Sequence, residues 1–106
     1  MRSKIEQIKK DITPLLIENN VKKAGIFGSY AKGSQKKGSD VDILVEIEDK
    51  NFSLLDLVKL KMALQKILKK EVDLIEYSTL HPLIKKTALK EEVRILWKTN
   101  FTYQIF

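Results

Sequence analysis

The sequence has 106 residues, a length that predicts one domain around one hydrophobic core. Hydrophobic residues make up 43% and charged residues 32%, which excludes a disordered chain and a membrane-embedded one. Cysteine is absent and His81 is the single histidine, so disulfides, thiol nucleophiles and histidine-rich metal sites are excluded. The net charge of +6 favours an anionic partner (a nucleotide, a nucleic acid or an acidic protein surface), although a lysine-rich solvated surface explains it equally well.

A helix is predicted at the start of the chain. Ser3 and Glu6 have the spacing of a capping box, and apolar residues then recur every three or four positions as far as residues 19–20. Pro14 has no amide hydrogen, so the helix should kink there or restart with Thr13 as its cap. The first residues lead into this charged amphipathic stretch and not into an apolar signal core. No apolar run approaches the roughly 20 residues of a membrane helix, so we expect a cytoplasmic protein with no membrane contact.

Two strands come next, separated by a loop. Residues 21–27 predict a short buried strand that runs into Gly28 and Ser29, where Ser29 opens a helical turn. After the loop, residues 40–47 alternate strictly, with four β-branched residues on one face. The other face carries Asp40, Asp42, Leu44 and Glu46.

The remaining elements complete a mixed sheet. Ser53 and Asp56 form a second capping box, which opens a helix that ends near Lys70. Three more elements follow: a strand at 71–77, a helix that begins around 80–82 and a strand at 93–97. The order of elements predicts an α+β fold in which helices cover one face of a mixed β-sheet.

Asp40 and Asp42 are the first candidates for chemistry. They point to the same side of their strand, roughly 7 Å apart at about 3.3 Å per residue. Such a pair can hold one or two divalent cations, and Mg²⁺ prefers hard oxygen ligands while it keeps substrate phosphates in its shell. Two solvated aspartates at the start of a strand are the alternative.

The Gly28-Ser29 turn is the second candidate. Glycine permits close backbone approach, and the backbone amides and serine hydroxyl can hold phosphate oxygens, although most Gly-Ser pairs are ordinary turns. The loop returns the acidic strand antiparallel to the first strand, which brings this turn beside Asp40 and Asp42. A phosphate-holding turn beside a metal-binding pair predicts a site for a nucleoside triphosphate.

These residues resemble a known signature. Residues 28–34 (GSYAKGS) and 39–45 (SDVDILV), with ten residues between Gly-Ser and Asp-x-Asp, resemble the DNA polymerase β-like nucleotidyltransferase superfamily. Over about residues 3–97 the chain resembles the minimal nucleotidyltransferases, the MNT or MntA-like antitoxins. The resemblance implies the nucleotidyltransferase fold, in a single domain at 1–106.

The resemblance also implies roles for individual residues. Gly28 and Ser29 would bind the triphosphate, and Asp40 and Asp42 would hold two magnesium ions. Asp73 matches the third carboxylate of the family, so these three aspartates are the expected catalytic and metal-binding residues. A further candidate comes from the loop itself.

Lys32, with Lys36 and Lys37, lies on the predicted phosphate loop, and we expect Lys32 to contact the nucleotide. The implied reaction moves AMP from ATP to an acceptor hydroxyl and releases pyrophosphate. The implied partner is a helical HEPN protein, a ribonuclease toxin, and the best-understood pairs AMPylate a tyrosine of the toxin. Whether the chain forms homo-oligomers or hetero-oligomers stays open.

Two other functions compete with this one. A catalytically silent antitoxin of the same fold would neutralise its toxin by binding alone, and a small basic protein would bind nucleic acid through its charge. The presence of Asp40, Asp42 and Asp73 together favours an active enzyme. Nucleic acid is not the expected ligand, because no aromatic residues alternate with the lysine pairs.

The end of the chain does not fit the resemblance. Residues 99–106 form an apolar tail with no counterpart in the family. Its aromatic residues, among them Phe101, Tyr103 and Phe106, predict either a contact with a partner or packing against the chain's own core.

Overall fold

The computed structural model describes residues 4–99 and 102–106. The helices and strands are, in chain order, α1 (Lys4–Glu18), β1 (Val21–Phe27), α2 (Ser29–Lys32), β2 (Val41–Ile47), α3 (Leu54–Leu68), β3 (Val72–Glu76), α4 (Pro82–Glu91), β4 (Val93–Thr99) and β5 (Thr102–Ile105). A 3-10 turn at Tyr77–Thr79 links β3 to α4. Within the described ranges, no helix has the length and apolarity to cross a bilayer.

The strands form one mixed sheet, as predicted, in the order β3-β2-β1-β4-β5. β1 pairs antiparallel with β2 and with β4, and β5 pairs antiparallel with β4. β2 and β3 are parallel, and α3 provides the crossover connection that parallel neighbours need. The parallel pair therefore lies at one edge of the sheet, which is where the predicted acidic residues are.

The main core lies between the sheet and the two long helices. Alternation along β2 directs Val41, Ile43 and Val45 to this side, where all three are fully buried. α1 and α3 contribute apolar residues to the same cluster, among them Leu16 and Leu64. The prediction that helices cover one face of the sheet holds for α1 and α3.

α4 contributes to a different cluster. Leu44 points away from the main core and packs with Tyr77 and Ala88, so α4 reaches the other face of the sheet. Ala88 is the only residue of α4 that is buried, whereas Leu83 and Ile84 are exposed. α4 thus packs on the sheet through one small residue. The apolar periodicity of its sequence does not show which face of the sheet it covers.

α1 runs without a break through Pro14, so a restart capped by Thr13 is wrong. Thr13 is buried inside the helix, and its hydroxyl donates a hydrogen bond to the carbonyl of Lys9 at 2.5 Å. Pro14 removes the amide donor of the Lys10 carbonyl, and the Thr13 hydroxyl bonds the neighbouring carbonyl of Lys9 in the same turn. The predicted capping box at Ser3 lies outside the described residues.

The capping box of α3 is confirmed. The amide of Asp56 donates to Ser53 Oγ at 3.2 Å, and the amide of Ser53 donates to Asp56 Oδ2 at 2.9 Å. The helix ends at Leu68, two residues before the predicted end, because Lys69 adopts the left-handed conformation that stops it.

Part of the predicted apolar tail is a strand. β5 pairs with β4, and Tyr103 packs against the main core, whereas Ile105 and Phe106 remain about half exposed. Phe101 lies outside the described residues. Polar and apolar residues do alternate over Thr102–Ile105, so a strand signal of the minimum length was present in the sequence.

Candidate active site

Gly28 follows the last residue of β1 and forms the N-cap of α2, with a φ of 73° that favours glycine. Ser29 begins α2, as predicted, and is half-buried. Two backbone bonds close the turn: the amide of Lys32 donates to Gly28 at 3.2 Å, and the amide of Ser34 donates to Ser29 at 2.9 Å. The turn is therefore compact, and its first two residues sit where the strand ends.

The turn packs directly against the acidic strand. Phe27 is the register partner of Asp42 across β1 and β2. A Cβ added to Gly28 would stand 3.1 Å from Asp42 Cγ and would overlap Asp42 Oδ2. Glycine is required at residue 28 for two reasons: the φ is positive, and Asp42 leaves no space for a side chain.

Asp42 and Asp73 are register partners in the parallel pair β2–β3, so their side chains project from the same face. Asp40 immediately precedes β2, and it is exposed, as is Asp73, whereas Asp42 is half-buried. Burial raises the pKa of Asp42, and the neighbouring carboxylates of Asp73 and Asp40 raise it further. The three predicted aspartates therefore act on one another electrostatically at one end of the sheet.

These carboxylates do not form a closed metal cage. Over residues 4–99 and 102–106, no three carboxylate, histidine or cysteine side chains converge closely enough to hold a metal ion by themselves. Magnesium commonly binds through one or two carboxylates and completes its shell with substrate phosphates and water. The donor set is made of hard oxygens, and a cation would relieve the repulsion on Asp42, so the residues fit magnesium that binds together with a nucleotide.

Lys32 is directed to another partner. Its Nζ lies 3.3 Å from Glu91 Oε2 in the last turn of α4, and both side chains are about half exposed. The ion pair connects α2, which follows Gly28, to α4. An exposed pair of this kind is weak, so it leaves the ammonium available to a stronger anion.

Sequence reasoning missed a buried acidic residue on the same face. The side chain of Glu92 is 3% exposed; its Oε2 accepts a hydrogen bond from the Tyr77 hydroxyl, and Arg94 lies 3.7 Å from its Oε1. Burial raises the pKa of Tyr77, and the bond to Glu92 raises it further. Gly25 makes room for this pair, because a Cβ there would stand 2.9 Å from the Tyr77 hydroxyl.

In sequence, Glu92 follows another glutamate at the end of a charged helix and looks like an ordinary surface residue. Only the fold reveals its burial. The signal available from sequence was Gly25 in the middle of a strand, since such a glycine often marks a close approach by another group.

Comparison with known proteins finds a matching family and several similar proteins. Residues 10–100 match the family described as polymerase beta, nucleotidyltransferase. A candidate protein adenylyltransferase of Methanocaldococcus jannaschii is 51% identical over 92 residues, which cover 87% of this chain and 98% of that protein. The protein adenylyltransferase MntA of Thermococcus cleftensis is 44% identical over 75 residues, 71% of this chain and 75% of that protein.

The fold has relatives among solved structures. A crystal structure of a toxin–antitoxin with AMP-PNP contains a chain that superposes with a TM-score of 0.72 at 25% sequence identity. The match covers 81% of this chain and 70% of that one. The predicted nucleotidyltransferase fold is thus confirmed by sequence and by structure.

Proposed function

The chain belongs to the polymerase beta nucleotidyltransferase family, and from this premise we propose that it transfers AMP from ATP to a hydroxyl group of a partner protein. One observation carries the proposal. The turn at Gly28 and Ser29 packs against Asp42, which is itself paired with Asp73. A turn suited to phosphates and a set of carboxylates suited to a cation therefore share one location.

We assign the nucleotide and the metal to different residues of this location. The backbone of Gly28 and the hydroxyl of Ser29 hold phosphate oxygens, because a residue without a side chain lets the phosphates approach the backbone. Asp40, Asp42 and Asp73 hold magnesium, with two ions as the expected number. Magnesium, when bound, neutralises charge on the phosphates and lowers the cost of bringing an anionic nucleotide to an acidic strand.

The proposed reaction forms one bond and breaks one. The oxygen of the acceptor hydroxyl attacks the α-phosphorus of ATP, and the bond from that phosphorus to the oxygen that leads to the β-phosphate breaks. Pyrophosphate leaves with the electron pair of that bond. Asp73 accepts the proton of the attacking hydroxyl or passes it to solvent, a role that fits an exposed carboxylate beside the half-buried Asp42.

The acceptor follows from the relatives. Two of them are named as protein adenylyltransferases, and a structural relative is a toxin–antitoxin with AMP-PNP bound. Together with the resemblance to MntA-like antitoxins, this supports a HEPN-type toxin as the partner that receives AMP. We propose that the reaction takes place in the cytoplasm and uses a single nucleotidyltransferase domain.

The test is transfer of radiolabelled AMP from [α-³²P]ATP to the purified HEPN-type protein, together with calorimetry of MgATP binding. The double variant Asp40→Asn/Asp42→Asn should lose both binding and transfer. Glu46→Gln is the matched control, because Glu46 lies exposed on the same face of β2 and away from the turn. Undiminished MgATP binding by the double variant would refute the site assignment.

A variant of Asp73 distinguishes an active enzyme from an antitoxin that acts by binding alone. Asp73→Asn should keep much of the affinity for MgATP, since the turn and two aspartates remain. Transfer should fall by a factor of about 100 or more, because proton removal and metal positioning both fail. Glu71→Gln, two residues away and exposed, should transfer normally. Near wild-type transfer by Asp73→Asn would show that the residue has only a local structural role.

A further inference from the structure

The outward side of α3 carries large apolar side chains. Leu54 is 78% exposed, Leu55 63%, Val58 44% and Met62 62%. We call these four residues the α3 stripe. Single exposed apolar residues are ordinary on protein surfaces, whereas a contiguous group is typical of an interaction site.

The stripe is separate from the side of α3 that packs on the sheet. Leu54, Val58 and Met62 follow one another at intervals of four, which places them in a row along the helix. Leu60 and Leu64 are buried on the opposite side, in the main core. A row at intervals of four is the ridge that packs into the groove of a second helix, so the stripe fits a helical partner.

Lysines predominate among the charges beside the stripe. Lys59, Lys61 and Lys66 flank it, and none of the three forms a close ion pair with any residue in the described parts of the chain, although the charge of Lys59 acts on the nearby Asp56. Asp56 is the only acidic residue of α3, and its carboxylate is used in the capping box. Two copies of this surface would bring lysines against lysines, whereas a helix with acidic edges would pair with them.

α3 also leads toward the candidate active site. Near its end, Gln65 Oε1 accepts a hydrogen bond from the amide of Val72 at 3.1 Å, and Asp73 is the next residue. From Met62 to the end of the helix at Leu68 is about 9 Å at 1.5 Å per residue. Asp42 and Asp73 project from the opposite face of the sheet, so a partner whose helix lies on the stripe would reach these carboxylates with other segments that pass around the edge strand β3.

We propose that the α3 stripe is the docking surface for the acceptor protein, which contacts it through an apolar helix edged by acidic residues. This inference rests on the proposed function for the existence of an acceptor, and adds where the acceptor docks and by what chemistry. The apolar row supplies the contact area, and the lysines select a partner of opposite charge.

The experiment titrates the purified HEPN-type protein into the fluorescently labelled full chain and measures the dissociation constant. Leu55→Glu/Met62→Glu should weaken binding by at least about 100-fold, because two charges would be buried against an apolar helix. Leu83→Glu is the matched control, since Leu83 is 75% exposed but lies on α4; it should change the constant less than about threefold. Lys59→Glu/Lys66→Glu should weaken binding about tenfold and flatten its salt dependence.

The outcomes separate the two proposals. All stripe variants should bind MgATP like the wild type, so loss of partner binding cannot be attributed to a damaged nucleotide site. Stripe variants that bind the partner normally overturn the docking surface and leave the transfer reaction intact. A wild-type chain that binds the partner through the stripe yet transfers no AMP overturns only the proposed function. A self-dimer in sedimentation that Met62→Glu dissolves, or no binding by the wild type, also overturns the docking proposal.

Discussion

Gly28 lies so close to Asp42 that a single methyl group at residue 28 would overlap the carboxylate. The turn at Gly28 and Ser29 and the acidic strand β2 are thus in direct contact. Neither residue can be changed without consequences for the other, and this contact allows the geometry of the site to be tested by a minimal substitution.

Gly28→Ala should destabilise the chain by about 1–3 kcal/mol, because alanine is strained at a φ of 73° and its Cβ displaces Asp42. Urea denaturation measures the loss. Gly38→Ala is the control, since Gly38 also has a positive φ, of 88°, but nothing lies within 4 Å of the added Cβ. Equal losses in the two variants would mean that the contact with Asp42 contributes nothing.

Asp42→Asn should raise the melting temperature of the metal-free chain by a few degrees, because it removes a charge that neighbouring carboxylates repel. The same variant should abolish transfer, since residues kept for function often lower stability. Burial and the carboxylates of Asp73 and Asp40 disfavour the charged form of Asp42. Differential scanning calorimetry checks the shift. Magnesium should stabilise the wild type more than the variant, and the same response in both would contradict a metal role.

The pH dependence of this effect has a definite sign. The pKa of Asp42 is raised in the folded chain, so the folded state holds its proton more tightly than the unfolded state does. The contribution of Asp42 to stability is therefore most favourable below the unfolded pKa of about 3.9 and falls as pH rises through the folded pKa. The advantage of Asp42→Asn over the wild type should grow through that window and then stay constant.

Tyr77→Phe should destabilise the chain by about 1–3 kcal/mol, since it removes the hydrogen bond to the buried carboxylate of Glu92. Chemical denaturation of Tyr77→Phe, Glu92→Gln and the double variant gives the coupling between them. Tyr103→Phe, at the half-buried position of the otherwise exposed strand β5, should cost less than about 0.5 kcal/mol. Additive losses for Tyr77 and Glu92 would show that their contact is not energetically coupled.

Lys32→Met should weaken MgATP binding by about tenfold, if the ammonium leaves Glu91 to pair with the triphosphate. Glu91→Gln frees the ammonium and should strengthen binding by less than about fivefold, because exposed ion pairs contribute at most about 1 kcal/mol. Calorimetry measures both, with Lys90→Met as the control on α4. Unchanged affinity in Lys32→Met would assign Lys32 to holding α4 alone.

The elements that carry the site were predictable because their patterns are strict. β1 was predicted over the residues it occupies, and β2 within one residue, since unbroken alternation directs Val41, Ile43 and Val45 to one face. The capping box was equally predictable, because Ser53 and Asp56 lie only three residues apart in the sequence.

What the sequence did not reveal depends on residues far apart in the chain. Tertiary packing brings Lys32 to Glu91 and buries Glu92 against Tyr77. Local sequence patterns do not predict such contacts. The side of the sheet on which α4 packs is decided by one small residue, Ala88, and not by a stripe.

β3 has a neighbour on one side only, because it is the edge strand of the sheet, and it carries Asp73. Edge strands detach at a lower free-energy cost than central strands, so local opening is expected at β3 before the central strands separate. Such an opening would withdraw Val72 and Leu74 from the main core and would carry Asp73 away from Asp42. Under the proposed function, transfer would then be lost at a lower free-energy cost than the one that unfolds the whole chain.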